Sequence, residues 1–220
     1  MADLRDKIVV MGDIHGDFAT LNTFINKHHP KIILQVGDFG YWPNMTDVGT
    51  PKAQDTLIYF CDGNHEDHWA LRDRTTDELW PNIHFMPRGS TLRLPDGRNV
   101  LFIGGGISID KYRRTIGVSW FPEETITQKD ISNLPDETVD IVISHTCPNE
   151  FDIRGRFNMA KFDDPSQDAL SVVLEKYNPA LWYFGHFHVT SKGTYNKTKW
   201  QCVDMTYNQQ WWTILDDVTT

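Results

Sequence analysis

Cysteine is scarce in this chain. Three thiols, Cys61, Cys147 and Cys202, are spread over 220 residues with no CxxC pair. This excludes a disulfide-stapled scaffold, and the odd count points to reduced thiols filling the core of a cytoplasmic protein. Long apolar runs are missing as well. None approaches the ~18 residues of a membrane span, and the first, 8–11, is too short for the core of a signal peptide. Basic charge is in deficit: 21 Lys+Arg against 30 Asp+Glu leave a formal net of −9. Affinity for nucleic acid comes largely from basic side chains displacing counterions, so this balance argues against wrapping extended nucleic acid. Internal repeats and low-complexity tracts are absent. What remains is ordinary for a globular protein, since 40% hydrophobic and 23% charged residues exclude disorder. A single domain over 1–220 is expected, long enough to bury a core without a disulfide or structural metal.

Short apolar runs recur at 7–11, 31–36, 56–61, 100–103, 139–143 and 181–184, most of them followed closely by Gly or Asp. Their length and continuity predict buried strands. A helical stripe (Phe18, Leu21, Phe24, Ile25) predicts a helix over 17–28, closed by His28 and His29 before Pro30, where positive charge suits the helix end. A second helix is expected over 166–177, with Ser166 as N-cap and Pro179 as stop. The tail, 191–215, is rich in Thr, Tyr and Trp and reads as late strands. The rhythm is that of an α/β domain with mixed sheets.

Chemistry-bearing residues gather just after these strands. The runs end in Gly12-Asp13-Ile14-His15-Gly16, Gly37-Asp38-Phe39-Gly40, Asp62-Gly63-Asn64-His65-Glu66, Ser144-His145-Thr146 and Gly185-His186-Phe187-His188. Any one of these segments could be a turn or a helix cap. Five together project carboxylates, an amide and imidazoles from one end of a sheet. Such groups cannot converge tightly without cations between them. The donor set holds no Cys, which suits Mn, Fe, Zn or similar dications rather than a thiolate zinc site. His68, three residues after His65, either lines the pocket or lies on the surface, and the surface is expected.

In their order and spacing, GDIHG, GDFG, GNHE, SH and GHFH resemble the five signatures of the calcineurin-like metallophosphoesterases, from Gly12 to His188. The resemblance implies a four-layer α/β/β/α sandwich with two mixed β-sheets. It implies a hydrolase of phosphate esters with two divalent metal ions (Mn, Fe, Zn or Ni). By motif, Asp13, His15 and His188 would bind the first metal, Asp38 would bridge both, and Asn64, His145 and His186 would complete the second. His65 is left off the metals, in the position of the family's general acid. The roles make chemical sense: a metal pair acidifies water, and an imidazole suits protonation of a leaving alkoxide.

Substrate choice rests on departures from the pattern. The protein-phosphatase branch continues its second motif as GDxxDRG, whereas this chain reads Gly37-Asp38-Phe39-Gly40-Tyr41-Trp42. Tyr41 and Trp42 either stack on a flat substrate group or hold their loop by packing. The loop after Gly104-Gly105-Gly106 carries Arg113 and Arg114, which either bind a phosphate oxygen or form a solvated pair. Arg154 and Arg156 are a second candidate pair. The expected activity is a phosphodiesterase acting on a small or nucleotide-like ester, with no membrane partner. A Ser/Thr-type protein phosphatase or other phosphomonoesterase is the alternative, and a non-catalytic scaffold is the rival from another class. The intact Asp, Asn and His set argues against the scaffold. The eight Trp residues, several in the tail, suit core or an oligomer face.

Overall fold

Residues alternate along each apolar run between two buried environments, which makes these runs central strands. The computed structural model describes residues 3–45, 49–153 and 164–216; Arg154 and Arg156 lie outside them. The elements are, in chain order, β1 (Ile8–Met11), α1 (Phe18–His28), β2 (Ile32–Gln35), β3 (Leu57–Phe60), α2 (His68–Asp73), β4 (Glu78–Trp80), β5 (Ile83–Phe85), β6 (Ser90–Arg93), β7 (Asn99–Ile103), α3 (Gln128–Ser132), β8 (Ile141–Ser144), α4 (Pro165–Tyr177), β9 (Leu181–Phe184), β10 (Ser191–Tyr195), β11 (Thr198–Cys202) and β12 (Trp212–Ile214). Two 3₁₀ turns, Lys111–Arg113 and Pro122–Glu124, lie in the long connection from β7 to α3. No described helix is long and apolar enough to cross a membrane.

The strands form two mixed six-stranded sheets with orders β12-β1-β2-β3-β5-β4 and β10-β11-β9-β8-β7-β6. In each, four parallel strands are flanked by antiparallel ones. Period-two alternation sorts the side chains into three apolar layers. Val10, Leu34, Val100, Phe102, Ile143 and Tyr183 meet between the sheets. Val9, Met11, Ile33, Ile58 and Phe60 face α1 and its Phe24. Leu101, Ile103, Val142, Trp182 and Phe184 face α4. The result is the α/β/β/α sandwich. The tail strands are β10, β11 and β12, and Trp200 and Trp211 are buried, so these tail tryptophans are core.

The helix ends differ slightly from expectation. Asp17 caps α1 by accepting from the Thr20 amide, and His29 closes it in the left-handed conformation. Asp164, not Ser166, caps α4, because Pro165 takes the first helical position, where it lacks only an orphan N–H. The Ser166 hydroxyl instead accepts from the Ile126 amide. His68 is also corrected. Asp67 caps α2, and this turns the first helical residue, His68, inward to 3.7 Å from Asp62, with 1% exposure.

Candidate metal centre

Every motif follows the C-terminal end of a parallel strand. Asp13 and His15 follow β1, Asp38 follows β2, and Asn64 and His65 follow β3 in one sheet. His145 follows β8, and His186 and His188 follow β9 in the other. The cluster thus lies where the ends of the two sheets meet. His15, Asp38, His186 and His188 have positive φ, between 50° and 67°. This conformation costs a non-glycine residue roughly 1–2 kcal/mol, and it is spent at the residues whose side chains converge. Two glycines make room for the carboxylates. A Cβ on Gly185 would sit 2.0 Å from Asp13 Oδ1, and one on Gly63 2.0 Å from Asp38 Oδ1.

Ligand atoms of Asp13, His15, Asp38 and His188 all lie within 4.8 Å of one another. His188 Nε2 is 3.2 Å from Asp13 Oδ2 and 3.1 Å from His15 Nε2. The bond to Asp13 pushes the His188 imidazole above its ordinary pKa. Asp38 is fully buried; burial pushes its carboxyl up, but His145, His65, His15 and His186 outweigh burial and hold it below the carboxylate range.

Asn64, His145 and His186 meet on the other side of Asp38. Asn64 Oδ1 is 2.9 Å from both His145 Nε2 and His186 Nδ1. His145 Nε2 is 3.4 Å from Asp38 Oδ1. The tautomer of His145 follows from its other nitrogen, since Nδ1 lies 3.0 Å from the Val36 carbonyl and must donate to it. In the neutral ring, Nε2 then presents a lone pair to two oxygen acceptors, with no proton to share among the three. A hard or borderline cation is the group that fits such a set. Burial, then the neighbouring His145, lowers His186 to about 3, which favours its neutral ring.

His65 stands beside this set. Its backbone amide donates to Asp38 Oδ1 at 2.7 Å. Its Nε2 is 3.1 Å from Arg114 Nη2. Burial first, helped by Arg114, lowers its pKa against the pull of Asp38. The β7–α3 loop therefore reaches the cluster: Arg114 meets His65, and a Cβ on Gly106 would lie 3.3 Å from His145. Arg113 does not share the contact with His65. It is exposed, with its guanidinium 5.5 Å over the Tyr112 ring. Tyr41 packs edge-on against Trp80 at 5.4 Å, and Trp42 lies 6.1 Å from Phe121. Both are engaged in the packing that was the alternative to a substrate platform.

Several residues that the motif reading gave no role support the cluster. Glu66, fully buried, accepts from the Gly40 and Gly63 amides and so ties two motif loops together. Burial and then Asp38 push its carboxyl well up. Arg88 is buried against Asp62 at 2.6 Å. It also donates to the Glu123, Glu124 and Thr125 carbonyls. Ser108 and Glu124 join them behind Asn64.

A two-sheet sandwich with a carboxylate–imidazole cluster at its strand ends defines a metal-dependent hydrolase class. The family model for the calcineurin-like phosphoesterases matches residues 6–190, and the chain belongs to that family of phosphoester hydrolases. One solved structure superposes with a TM-score of 0.53 at 13% identity, over 95% of this chain and 98% of the other. The phosphopantetheinyl hydrolase PptH from Mycobacterium tuberculosis gives 0.49 at 10% identity, over 95% of each chain. GAP50, the anchor in the inner membrane complex of Plasmodium, gives 0.47 at 10%, over 89% of this chain and 70% of that one. At these identities the first likeness speaks to the fold alone. No curated protein matches the sequence.

Proposed function

We propose that this chain is a phosphodiesterase for a small or nucleotide-like ester, working at a dinuclear centre. The carrying observation is the pair of donor sets that meet at Asp38. Asp13, His15 and His188 would hold one dication, Asn64, His145 and His186 the other, and Asp38 both. Bound there, the dications would polarise phosphoryl oxygens and acidify water.

The chain's own groups account for the rest. Arg114 has a fixed fork of donors for a phosphoryl oxygen. In its absence Arg114 lies against both ring nitrogens of His65 and, with burial, disfavours the protonated ring. A phosphate anion entering between them gives the guanidinium a better acceptor and raises the proton affinity of the imidazole. His65 can then hold a proton at Nε2 and deliver it to the leaving alkoxide. A singly charged diester suits a site with one guanidinium at His65, and the missing GDxxDRG arginine points the same way. A reduced cytoplasmic setting belongs to this reading and is supported by three unpaired, buried cysteines. So does a single domain over 1–220, supported by β12, which returns from the C-terminal region to pair with β1.

The test is paired hydrolysis of p-nitrophenyl phosphate and bis-p-nitrophenyl phosphate on chelated protein, with Mn, Ni, Zn and Mg restored singly. Metal-dependent turnover favouring the diester is expected. Preference for the monoester would replace the diesterase reading with a phosphatase. No turnover with metals bound would favour a scaffold.

A further inference from the structure

Asn64 is the weakest donor of its set, a neutral amide whose oxygen and nitrogen are nearly the same size. Only the oxygen can face a cation. Something must therefore choose between two orientations that differ by a 180° flip.

The choice is made from the β7–α3 loop. Asn64 Nδ2 is 3.1 Å from Ser108 Oγ. Ser108 Oγ is 2.7 Å from Glu124 Oε2, and the Ser108 amide donates to Glu124 Oε1 at 2.7 Å. Asn64, Ser108 and Glu124 are all buried, with 5%, 2% and 1% exposure. Burial pushes the Glu124 carboxyl up, but the Ser108 amide and hydroxyl both donate to it and favour the ionised form, which can only accept. The single hydroxyl proton of Ser108 therefore goes to Glu124, leaving Oγ as an acceptor toward Asn64. An acceptor there selects Nδ2 and turns Oδ1 into the cluster. Glu124 is held in place by its backbone, whose carbonyl accepts from Arg88 at 3.0 Å and from the Gly106 amide at 3.0 Å.

We propose that Ser108 and Glu124 are positioning residues that fix the amide of Asn64 with its oxygen toward the second cation. The inference rests on the dinuclear reading above. Replacing Glu124 by Gln puts an N–H where an acceptor stood. The Ser108 proton is then free to turn toward Asn64, and the amide can flip. Replacing Ser108 by Ala removes the acceptor outright, while Ser108→Thr keeps it.

The experiment is calorimetric titration of metal-free protein with Mn²⁺ alone, with the number of ions bound counted directly. The wild type is expected to bind two. Ser108→Ala and Glu124→Gln are expected to keep one at wild-type affinity and to weaken the other by about 10–100-fold, the usual effect of losing a partner behind a ligand. Ser108→Thr is expected to restore it. Wild-type affinity for both ions in Ser108→Ala and Glu124→Gln would overturn the proposal. So would equal weakening of both ions, because the pair would then merely hold the fold. A wild type that binds fewer than two ions would instead overturn the dinuclear reading itself.

Discussion

Arg114 Nη2 lies 3.1 Å from His65 Nε2 and 2.7 Å from Asp110 Oδ1. Asp110 thus steadies the guanidinium from one side, and both ring nitrogens of His65 lie against the other, 3.1 Å from Nη2 and 3.5 Å from Nη1. Because an arginine can only donate, this contact disfavours a proton on His65 until the guanidinium finds another acceptor. The two residues are poised for an anion to separate them. His65→Ala is expected to keep two metals and to lose about 10²–10⁴ in kcat. Arg114→Gln is expected mainly to raise KM. Metal analysis and steady-state kinetics on both variants check the division. Loss of an ion from His65→Ala would place His65 among the ligands.

The two glycines behind the carboxylates give a second expectation. A methyl at Gly63 or Gly185 would sit 2.0 Å from a carboxylate oxygen of Asp38 or Asp13. Either carboxylate must then move, and both belong to the cluster. Gly185→Ala and Gly63→Ala are expected to lose tight metal binding while far-UV circular dichroism stays native. Native metal affinity in either variant would mean that the loop yields without disturbing the carboxylate.

The cluster was legible because its residues lie in short runs tied to strand ends, where the backbone sets both their place and their direction. Asp13, His15, Asp38, Asn64, His145, His186 and His188 could be named from five segments of three to five residues. The strands with continuous apolar runs were legible for the same reason. β4, β5 and β6 were not: Glu78–Trp80, Ile83–Phe85 and Ser90–Arg93 are three or four residues long and mix polar with apolar, so they show no period. Ser108, Glu124 and Arg88 were hidden for another reason. Their role depends on a long loop folding back across the cluster, and nothing local distinguishes a buried Glu from a solvated one. The inward turn of His68 depends likewise on partners that the sequence places elsewhere, Asp62 and Phe121.

His68 supplies a pH dependence from a residue outside the candidate ligand set. Burial first, then Arg88 and Arg72, lowers its pKa from 6.5 to about 4 against the pull of Asp62. Below pH ~6.5 the unfolded chain takes up a proton that the folded chain refuses. Stability therefore falls as pH drops from about 6.5 to about 4, by roughly 3 kcal/mol at most from this one group. His68→Gln never titrates. Urea unfolding at several pH values is expected to show a shallower acid slope for the variant. Parallel slopes would mean that His68 titrates normally in the fold.

Arg88 carries the firmest stability expectation. It is buried, it meets the buried Asp62 carboxylate at 2.6 Å, and it satisfies three backbone carbonyls of the loop that ends at Thr125. Removing it strands a buried carboxylate and the Thr125 carbonyl, while the Glu123 and Glu124 carbonyls keep Arg72 and the Gly106 amide as donors. Breaking one side of a buried pair costs about 3–5 kcal/mol, so Arg88→Met is expected to lower the free energy of unfolding by that amount, read as a lower urea midpoint at unchanged slope. Asp62→Asn in the same chain removes the stranded charge and is expected to restore part of the loss, while the Thr125 carbonyl stays without its Arg88 donor. The coupling measured in this double-mutant cycle separates the ion pair from the loop anchor. If the single variant loses less than about 1 kcal/mol, Arg88 contributes no more than a surface ion pair, and the loop over the metal centre must be held by other contacts.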